Sequence, residues 1–370
     1  MALFVKMTTN MNIFKKKFPS VTLFLLVVLS SQGAFAQSVA KYAGEFISTG
    51  VGARALGMGS AFVSVADDVT AGYWNAAGLA SIENQQATAM HSERFAGIVS
   101  YDYAAYARPY ANDRAISFSM IRLGVEGIPN TTNALLDYGT DGIPGTDDPD
   151  GTEGNGQLDF GERLDEDAIT RFSDSEWAFY LSYGRQLNDR FAYGGSVKFL
   201  RKAFANHSAN GLGFDIALKY RFRDKWFIGA NLQDVTTTLL AWDTGTKELI
   251  SPTLRSGIST IVELPFSEAW LMPSIEIVTR TDGDRSFSSD GIGLGASFSS
   301  LTFGGELHLN DRLILRAGRG EVEPFSAGIG IKVRGATVDY SFGSVGSQEN
   351  LGDSHRVSLL VDLNSALWIE

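Results

Sequence analysis

The 370-residue sequence contains no cysteine. That excludes a disulfide framework, a thiolate zinc site and a cysteine nucleophile. There are four histidines, His91, His207, His308 and His355, and their spacing fits no metal motif. No apolar run reaches the about 20 residues that a membrane-spanning helix needs. Basic residues are in the minority, 31 Lys and Arg against 42 Asp and Glu, for a net charge of −11. Nucleic acid is therefore not the expected partner, because phosphate binding needs basic surface. No G-x-S-x-G occurs, and neighbours such as Asp353, Ser354 and His355 point to opposite faces of an extended chain, so they form no triad by themselves. The expectation is a protein that is not an enzyme.

What is present begins with an address. Residues 1–36 read as a signal peptide: Lys15, Lys16 and Lys17 form a basic start, Val21 to Leu29 a short apolar run, and Ala34-Phe35-Ala36 a cleavage site. The mature chain would begin at Gln37, with Met1 and Met11 both open as the translation start. This leader holds four lysines and no acid, so the mature chain is more acidic still. The excess is concentrated between Asp137 and Asp167, with eleven Asp or Glu and one Arg.

Forty glycines, 24 Phe and 12 Tyr describe a chain of strands and turns. From residue 86 onward the pattern is period two. Ile116, Phe118 and Met120 share one face, with Ser117 and Ser119 on the other. Phe214, Ile216, Leu218, Tyr220 and Phe222 oppose Asp215, Ala217, Lys219 and Arg221. Val357, Leu359, Val361 and Leu363 oppose Arg356, Ser358, Leu360 and Asp362. About fourteen such runs, each about ten residues long, suit strands crossing a bilayer at a tilt. Tight polar turns such as Asn188-Asp189-Arg190 and Asn310-Asp311-Arg312 alternate with long loops at 124–174, 233–251, 281–290 and 343–354, and Gly291 to Leu309 reads as one long strand or a hairpin. Tyr110, Trp177, Trp226 and Trp270 suit interfacial girdles or the core of a sandwich. Alternation alone allows a soluble β-sandwich, but small and charged residues opposite an aromatic face favour a wet or plugged lumen. The expected fold is an all-β transmembrane antiparallel β-barrel at 86–370, with an N-terminal hatch at 37–85 inside it, in the bacterial outer membrane and in contact with its lipid.

The hatch is expected from Gly50 to Leu79, a stretch crowded with Gly and Ala. Gly52, Gly57, Gly59 and Gly78 allow close backbone approach to a wall. Arg54 is expected to pair with Asp67 or Asp68, since buried charges need partners. Trp74 and Asn75 complete the set; these nine residues either hold the segment in place or gate a path. Gly50-Val-Gly52-Ala-Arg-Ala55 also fits a dinucleotide fingerprint, but no βαβ unit surrounds it.

Three blocks carry a family resemblance: Gly52-Ala-Arg-Ala-Leu-Gly-Met-Gly, Ala66-Asp67-Asp68, and Tyr73-Trp74-Asn75-Ala-Ala-Gly78-Leu79. Tyr101-Asp102-Tyr103 and Leu351-Gly-Asp-Ser-His355-Arg356 extend it along nearly the whole mature chain. The sequence resembles the PorV/PorQ family, relatives of the FadL-type outer-membrane barrels. It departs at Ala76, where the family usually has proline. The resemblance implies a fourteen-stranded barrel with a lumenal hatch. It also implies a role in type IX secretion, binding C-terminal domains of exported cargo through extracellular loops. The alternative is a FadL-like channel for hydrophobic solutes. Fold membership alone does not choose.

The acidic loop carries a calcium candidate. On a twelve-position calcium loop starting at Gly151, Glu153, Asn155, Asp159 and Glu162 fall at ligand positions 3, 5, 9 and 12. Position 1 is Gly151, with Asp150 one residue early. Oxygen ligands without His or Cys favour Ca2+ over transition metals; a solvated acidic loop fits the same residues.

Overall fold

The computed structural model describes residues 44–94, 97–146, 151–265, 268–281, 292–294, 297–344 and 353–366. The expected signal peptide, the start at Gln37 and the calcium candidate Asp150 lie outside the described residues. Among the described residues, apart from shorter strands in the loops, fourteen strands make the wall: β1 Gln86–Arg94, β2 Val99–Ala111, β3 Arg114–Asn130, β4 Thr170–Asn188, β5 Phe191–Phe204, β6 His207–Arg223, β7 Trp226–Gln233, β8 Thr253–Thr260, β9 Trp270–Arg280, β10 Ser297–His308, β11 Leu313–Arg319, β12 Phe325–Val333, β13 Ala336–Ser344 and β14 Ser354–Asp362. Each pairs antiparallel with the next. β1 pairs with both β2 and β14, with Gln86 opposite Asp362, so the sheet closes on itself. Closure leaves no free edge, which is what a strand wall in lipid requires.

The alternation sets which side is which. Phe118 is 49% exposed and Leu181 61%, while Ser117 and Ser182 on the opposite phase are buried. Every long apolar face read from the sequence points outward. A water-soluble sandwich would bury these side chains; a lipid-facing wall presents them. Tyr110 and Trp226 sit outward beside the tight turns, as girdle residues do. Trp270 is half-buried and stacks on His308 at 3.5 Å.

The tight turns close by side-chain capping. Asn188 Oδ1 accepts the N–H groups of Arg190 and Phe191, and Asn310 Oδ1 those of Arg312 and Leu313. The first and last strands end on this same side, where the Leu363 N–H donates to the Gln85 carbonyl.

Two expectations need correction, and one left open is decided. The long loop is 131–169 rather than 124–174, because β3 continues to Asn130 and β4 starts at Thr170, with a bulge between Val125 and Ile128 absorbing the irregular pattern. Strand lengths run from 7 to 19 residues rather than about ten. Of the two readings of 291–309, the hairpin is the one found: a short strand, Ile292–Leu294, pairs antiparallel with β10.

Candidate functional site

The N-terminal segment from residue 44 to 82 is almost wholly buried. Three single-turn helices, α1 Glu45–Ser48, α2 Ala53–Gly57 and α3 Ala71–Trp74, and a 3-10 turn at Ala76–Ser81 give it a compact shape. Its large side chains pack on the segment itself and on the wall, where Tyr73 meets Tyr180 edge-on at 5.9 Å. Within the segment Trp74 meets Phe62 and Tyr73 edge-on, at 6.0 and 5.0 Å. The Trp74 indole N–H donates to the Val51 carbonyl at 2.9 Å. Small residues elsewhere let backbone lie on backbone.

This segment touches every strand of the ring. Gly52 N–H reaches Met90 Sδ on β1 at 3.2 Å, and Thr49 lies against the Tyr101 hydroxyl on β2. Gly72 sits against Ser117 of β3, and its carbonyl accepts from Ser182 of β4 and Ser196 of β5. Asn75 Nδ2 donates to the Leu218 carbonyl of β6 at 3.1 Å and Asn231 of β7 to the Trp74 carbonyl at 3.0 Å. Arg255 of β8 donates to the Ser60 carbonyl, and Glu276 of β9 accepts the Phe62 and Val63 N–H groups at 2.9 and 2.8 Å. Gly304 of β10 and Gly318 of β11 lie on Met58, Gly328 of β12 and Ser341 of β13 on Gly57, and Ser358 of β14 takes the Ala53 N–H. A methyl group at Gly304 would stand 2.1 Å from the Met58 carbonyl oxygen, so the wall is glycine where the segment presses closest.

Arg54 is the charged centre of this interface. Its guanidinium bonds Asp67 at 2.6 Å and Asp68 at 2.8 Å within the segment, and Glu306 of the wall at 2.7 and 3.1 Å. Glu306 is fully buried and also accepts from Arg316, which bonds Asp339 in turn at 2.7 Å. A second pair repeats the design, with Arg255 donating to Glu276 at 2.6 Å. Buried ion pairs of this kind add little net stability, but losing one partner is costly.

The nine residues expected to form a hatch all lie in this buried segment. Gly52 carries φ 80° and Gly59 φ 61°, and a methyl at Gly59 would meet the Arg319 backbone at 2.5 Å. Gly57 faces Gly328 and Gly78 faces the Ala66 carbonyl. Asn75 caps the 3-10 turn through Ala77 N–H. The residues not anticipated are the wall partners Arg255, Glu276, Glu306, Arg316 and Asp339. Their signal was available: each is a charge on the inward phase of a strand whose other phase is apolar.

The acidic loop is organised differently. Asp137 accepts the N–H groups of Gly154 and Gly156, each at 2.7 Å. Glu162 accepts from Gly139 and Asp159 N–H, Glu153 from Gly145 N–H, and Asn155 donates to Asp159. These carboxylates serve as backbone acceptors. Among the described residues no three His, Cys, Asp or Glu are grouped to hold a metal ion. Ser354 points inward and His355 outward, where it meets the Tyr340 hydroxyl at 2.7 Å.

No protein-family model and no curated protein matches the sequence. Among solved structures, the CymD monoaromatic hydrocarbon channel aligns with a TM-score of 0.51 at 10% identity, covering 85% of this chain and 98% of that one. The Pseudomonas putida toluene transporter TodX aligns at 0.49 and 12%, over 84% and 97%, and a Pseudomonas aeruginosa FadL homologue at 0.46 and 11%, over 89% and 100%. The likeness to CymD is one of fold.

Proposed function

We propose that this chain is an outer-membrane barrel of FadL-like type that admits a hydrophobic solute, with residues 44–82 as its hatch. One observation carries the reading: the charges at the hatch–wall interface are compensated on both sides. Arg54 keeps Asp67 and Asp68 on its own segment, while Glu306 and Glu276 keep Arg316 and Arg255 on the wall. Separating the two surfaces therefore leaves each of these charges a partner, and the wall cation it uncovers is Lys219, which donates to the Val65 and Ala66 carbonyls. The fold shared with a hydrocarbon channel and the apolar outer wall support the same reading. The test is uptake of a hydrophobic fluorescent solute by vesicles carrying the purified protein. Entry above that of empty vesicles, raised by Arg54→Ala, is expected. No entry with either form sinks the proposal.

A second reading is favoured by the loop 131–169, which exposes Phe160 (94%), Leu158 (61%) and Ile143 (56%) on a strongly acidic surface. Apolar side chains presented this way suit a protein partner, and the PorV/PorQ resemblance would make that partner type IX secretion cargo or machinery. Co-purification of cargo C-terminal domains, lost when the three side chains are changed to Ser and unaccompanied by solute entry, would replace the first reading with this one.

A further inference from the structure

At the turn-side mouth of the lumen, three cations gather on the inward phase of neighbouring strands. β6 carries Lys219 and Arg221, and Arg190 ends the tight turn before β5. The Arg221 N–H donates to the Arg190 carbonyl at 2.7 Å, continuing the register that sets Phe191 opposite Tyr220. Arg190 and Arg221 are therefore directly opposite, an arrangement in which like charges repel. With Lys219 they line a cavity of about 250 Å³, closed by Phe227 and by Ser81 of the hatch segment, and Asp189 is the one carboxylate in its lining. Arg190 and Arg221 are exposed and Lys219 half-buried, so the cavity is reached from the turn side.

The charge there does not balance. None of the three cations makes an ion pair among the described residues. Arg221 donates to the Asp189 carbonyl. Lys219 gives two of its three donors to the Val65 and Ala66 carbonyls, at 3.2 and 2.6 Å, and keeps one. Asp67 and Asp68 attract Lys219 from the hatch side, with Arg54 opposing them. Even with Lys219 set against those acids, two guanidiniums face Asp189 alone. A guanidinium fork fits a tetrahedral oxyanion, and Arg is the residue that binds phosphate in this way. The cavity is smaller than the about 300–1,000 Å³ of pockets for drug-sized ligands, which suits a small ion. Tyr220 and Phe222, on the outward phase of the same strand, face the lipid side, so a membrane headgroup does not reach the inward cations.

We infer that Arg190, Lys219 and Arg221 form a binding site for a soluble phosphate, either the free ion or a phosphate monoester. The site stands whether or not a solute passes the barrel. It also bears on the hatch. Lys219 is in place only while Val65 and Ala66 accept its bonds, so phosphate binds the docked arrangement and steadies it by mass action.

The experiment titrates inorganic phosphate and phenyl phosphate into the purified protein in a non-ionic detergent, read by calorimetry. Saturable binding is expected, weakened about ten-fold or more by Arg190→Gln and by Arg221→Gln, and unchanged by Lys247→Gln, an exposed loop-side control. Tighter binding of phenyl phosphate identifies a monoester; equal binding identifies the free ion. Absence of saturable binding by both, acetate binding as tightly as phosphate, or unchanged affinity in the folded arginine variants overturns the inference. Should those variants fail to fold, the unmodified protein decides: phosphate should protect Arg190 and Arg221 from phenylglyoxal, read by mass spectrometry, and equal labelling with and without it overturns the site. Phosphate should also slow hydrogen exchange within 61–69, and unchanged exchange overturns the link to the hatch. Binding in detergent and uptake into vesicles are separate readouts, so either can fail without the other.

Discussion

Replacing Arg54 by alanine removes four hydrogen bonds at once, two to Glu306 and one each to Asp67 and Asp68. Removing one partner of a buried pair costs about 3–5 kcal/mol when the other is left unpaired. Here the survivors keep partners. Glu306 retains Arg316 at 3.1 Å and His308 at 3.2 Å, and Asp68 retains the Thr70 N–H and hydroxyl at 2.8 and 2.5 Å. Asp67, with a side chain 41% exposed, turns to water. The expected loss is therefore about 2–4 kcal/mol of hatch docking, which is roughly 30- to 1000-fold in the ratio of docked to released forms. Hydrogen exchange read by mass spectrometry separates this from general unfolding. Peptides within 50–79 should exchange faster in the variant, while peptides within β3 to β6 stay unchanged. Adding Glu306→Gln should cost less than its own single effect, since the cycle carries a coupling of about 0.5–3 kcal/mol between contacting residues. Unchanged exchange across 50–79, with the strands equally protected, would refute the claim that Arg54 holds the hatch.

Gly304→Ala should loosen the hatch with the barrel intact, at a cost of about 1–3 kcal/mol, because the added methyl meets Met58 backbone rather than a movable side chain. Gly305→Ala, on the outward phase, is the control, and hydrogen exchange over 55–62 distinguishes them. The Gly156 N–H, opposed by burial and helped by the Gly154 N–H, holds the Asp137 carboxyl below its usual range. Its contribution to loop order is thus present above the ordinary carboxylate pKa of about 3.9 and lost as pH falls through the lower folded value; amide protection at Gly154 and Gly156 should persist at pH 4 and vanish below, and should be pH-independent in Asp137→Asn. Ala76→Pro should stabilise the hatch by about 0.4–1 kcal/mol. Residue 76 opens the 3-10 turn, whose first bond is Gly78 N–H to the Asn75 carbonyl, and Asn75 already has φ −165° and ψ 96°, a conformation compatible with a following proline. A lower unfolding temperature in that variant would show that the ring does not fit.

The barrel was legible because its pattern is redundant. Phe214 to Phe222 would have to slip by one residue to hide its apolar face, and every neighbouring strand repeats the same constraint. Two of the tight turns were legible for a local reason, Asn188 and Asn310 at positions where the side chain caps the N–H groups two and three residues on. What the sequence could not supply was which inward charge meets which. Arg54 and Asp67 are thirteen residues apart, but Arg54 and Glu306 are 252 apart and meet only through barrel closure. Loop boundaries were misplaced for a similar reason. Gly124, Gly127 and Pro129 read as loop residues, yet the pairing of β3 with β4 carries through them with a bulge. The partners inside the acidic loop were equally illegible: Asp137 and Glu162 accept backbone N–H groups from residues up to 23 positions away.

The tether limits what the hatch can do once released. Ile82 to Gln85 is four residues, a reach of at most about 14 Å when extended. Its far end is pinned where Asn84 donates to Asp362 at 2.9 Å, and Gln86 Oε1 accepts the Val69 N–H at 3.0 Å. A strand of the wall spans more than that, as thirteen residues of β2 at about 3.4 Å each imply. The segment cannot leave the lumen unless β1 frays, and β1 is paired along nearly its whole length on both sides. On the proposed reading, movement is hinged about residues 82–86, and the Trp74 cluster must also give up the Tyr73–Tyr180 contact at 5.9 Å and the Arg255 guanidinium over the Trp74 ring at 4.9 Å. The polar contacts that must break include those to Ser182, Ser196, Leu218 and Asn231 as well as the Arg255, Glu276 and Glu306 bonds, so movement needs more than loss of the charged pairs.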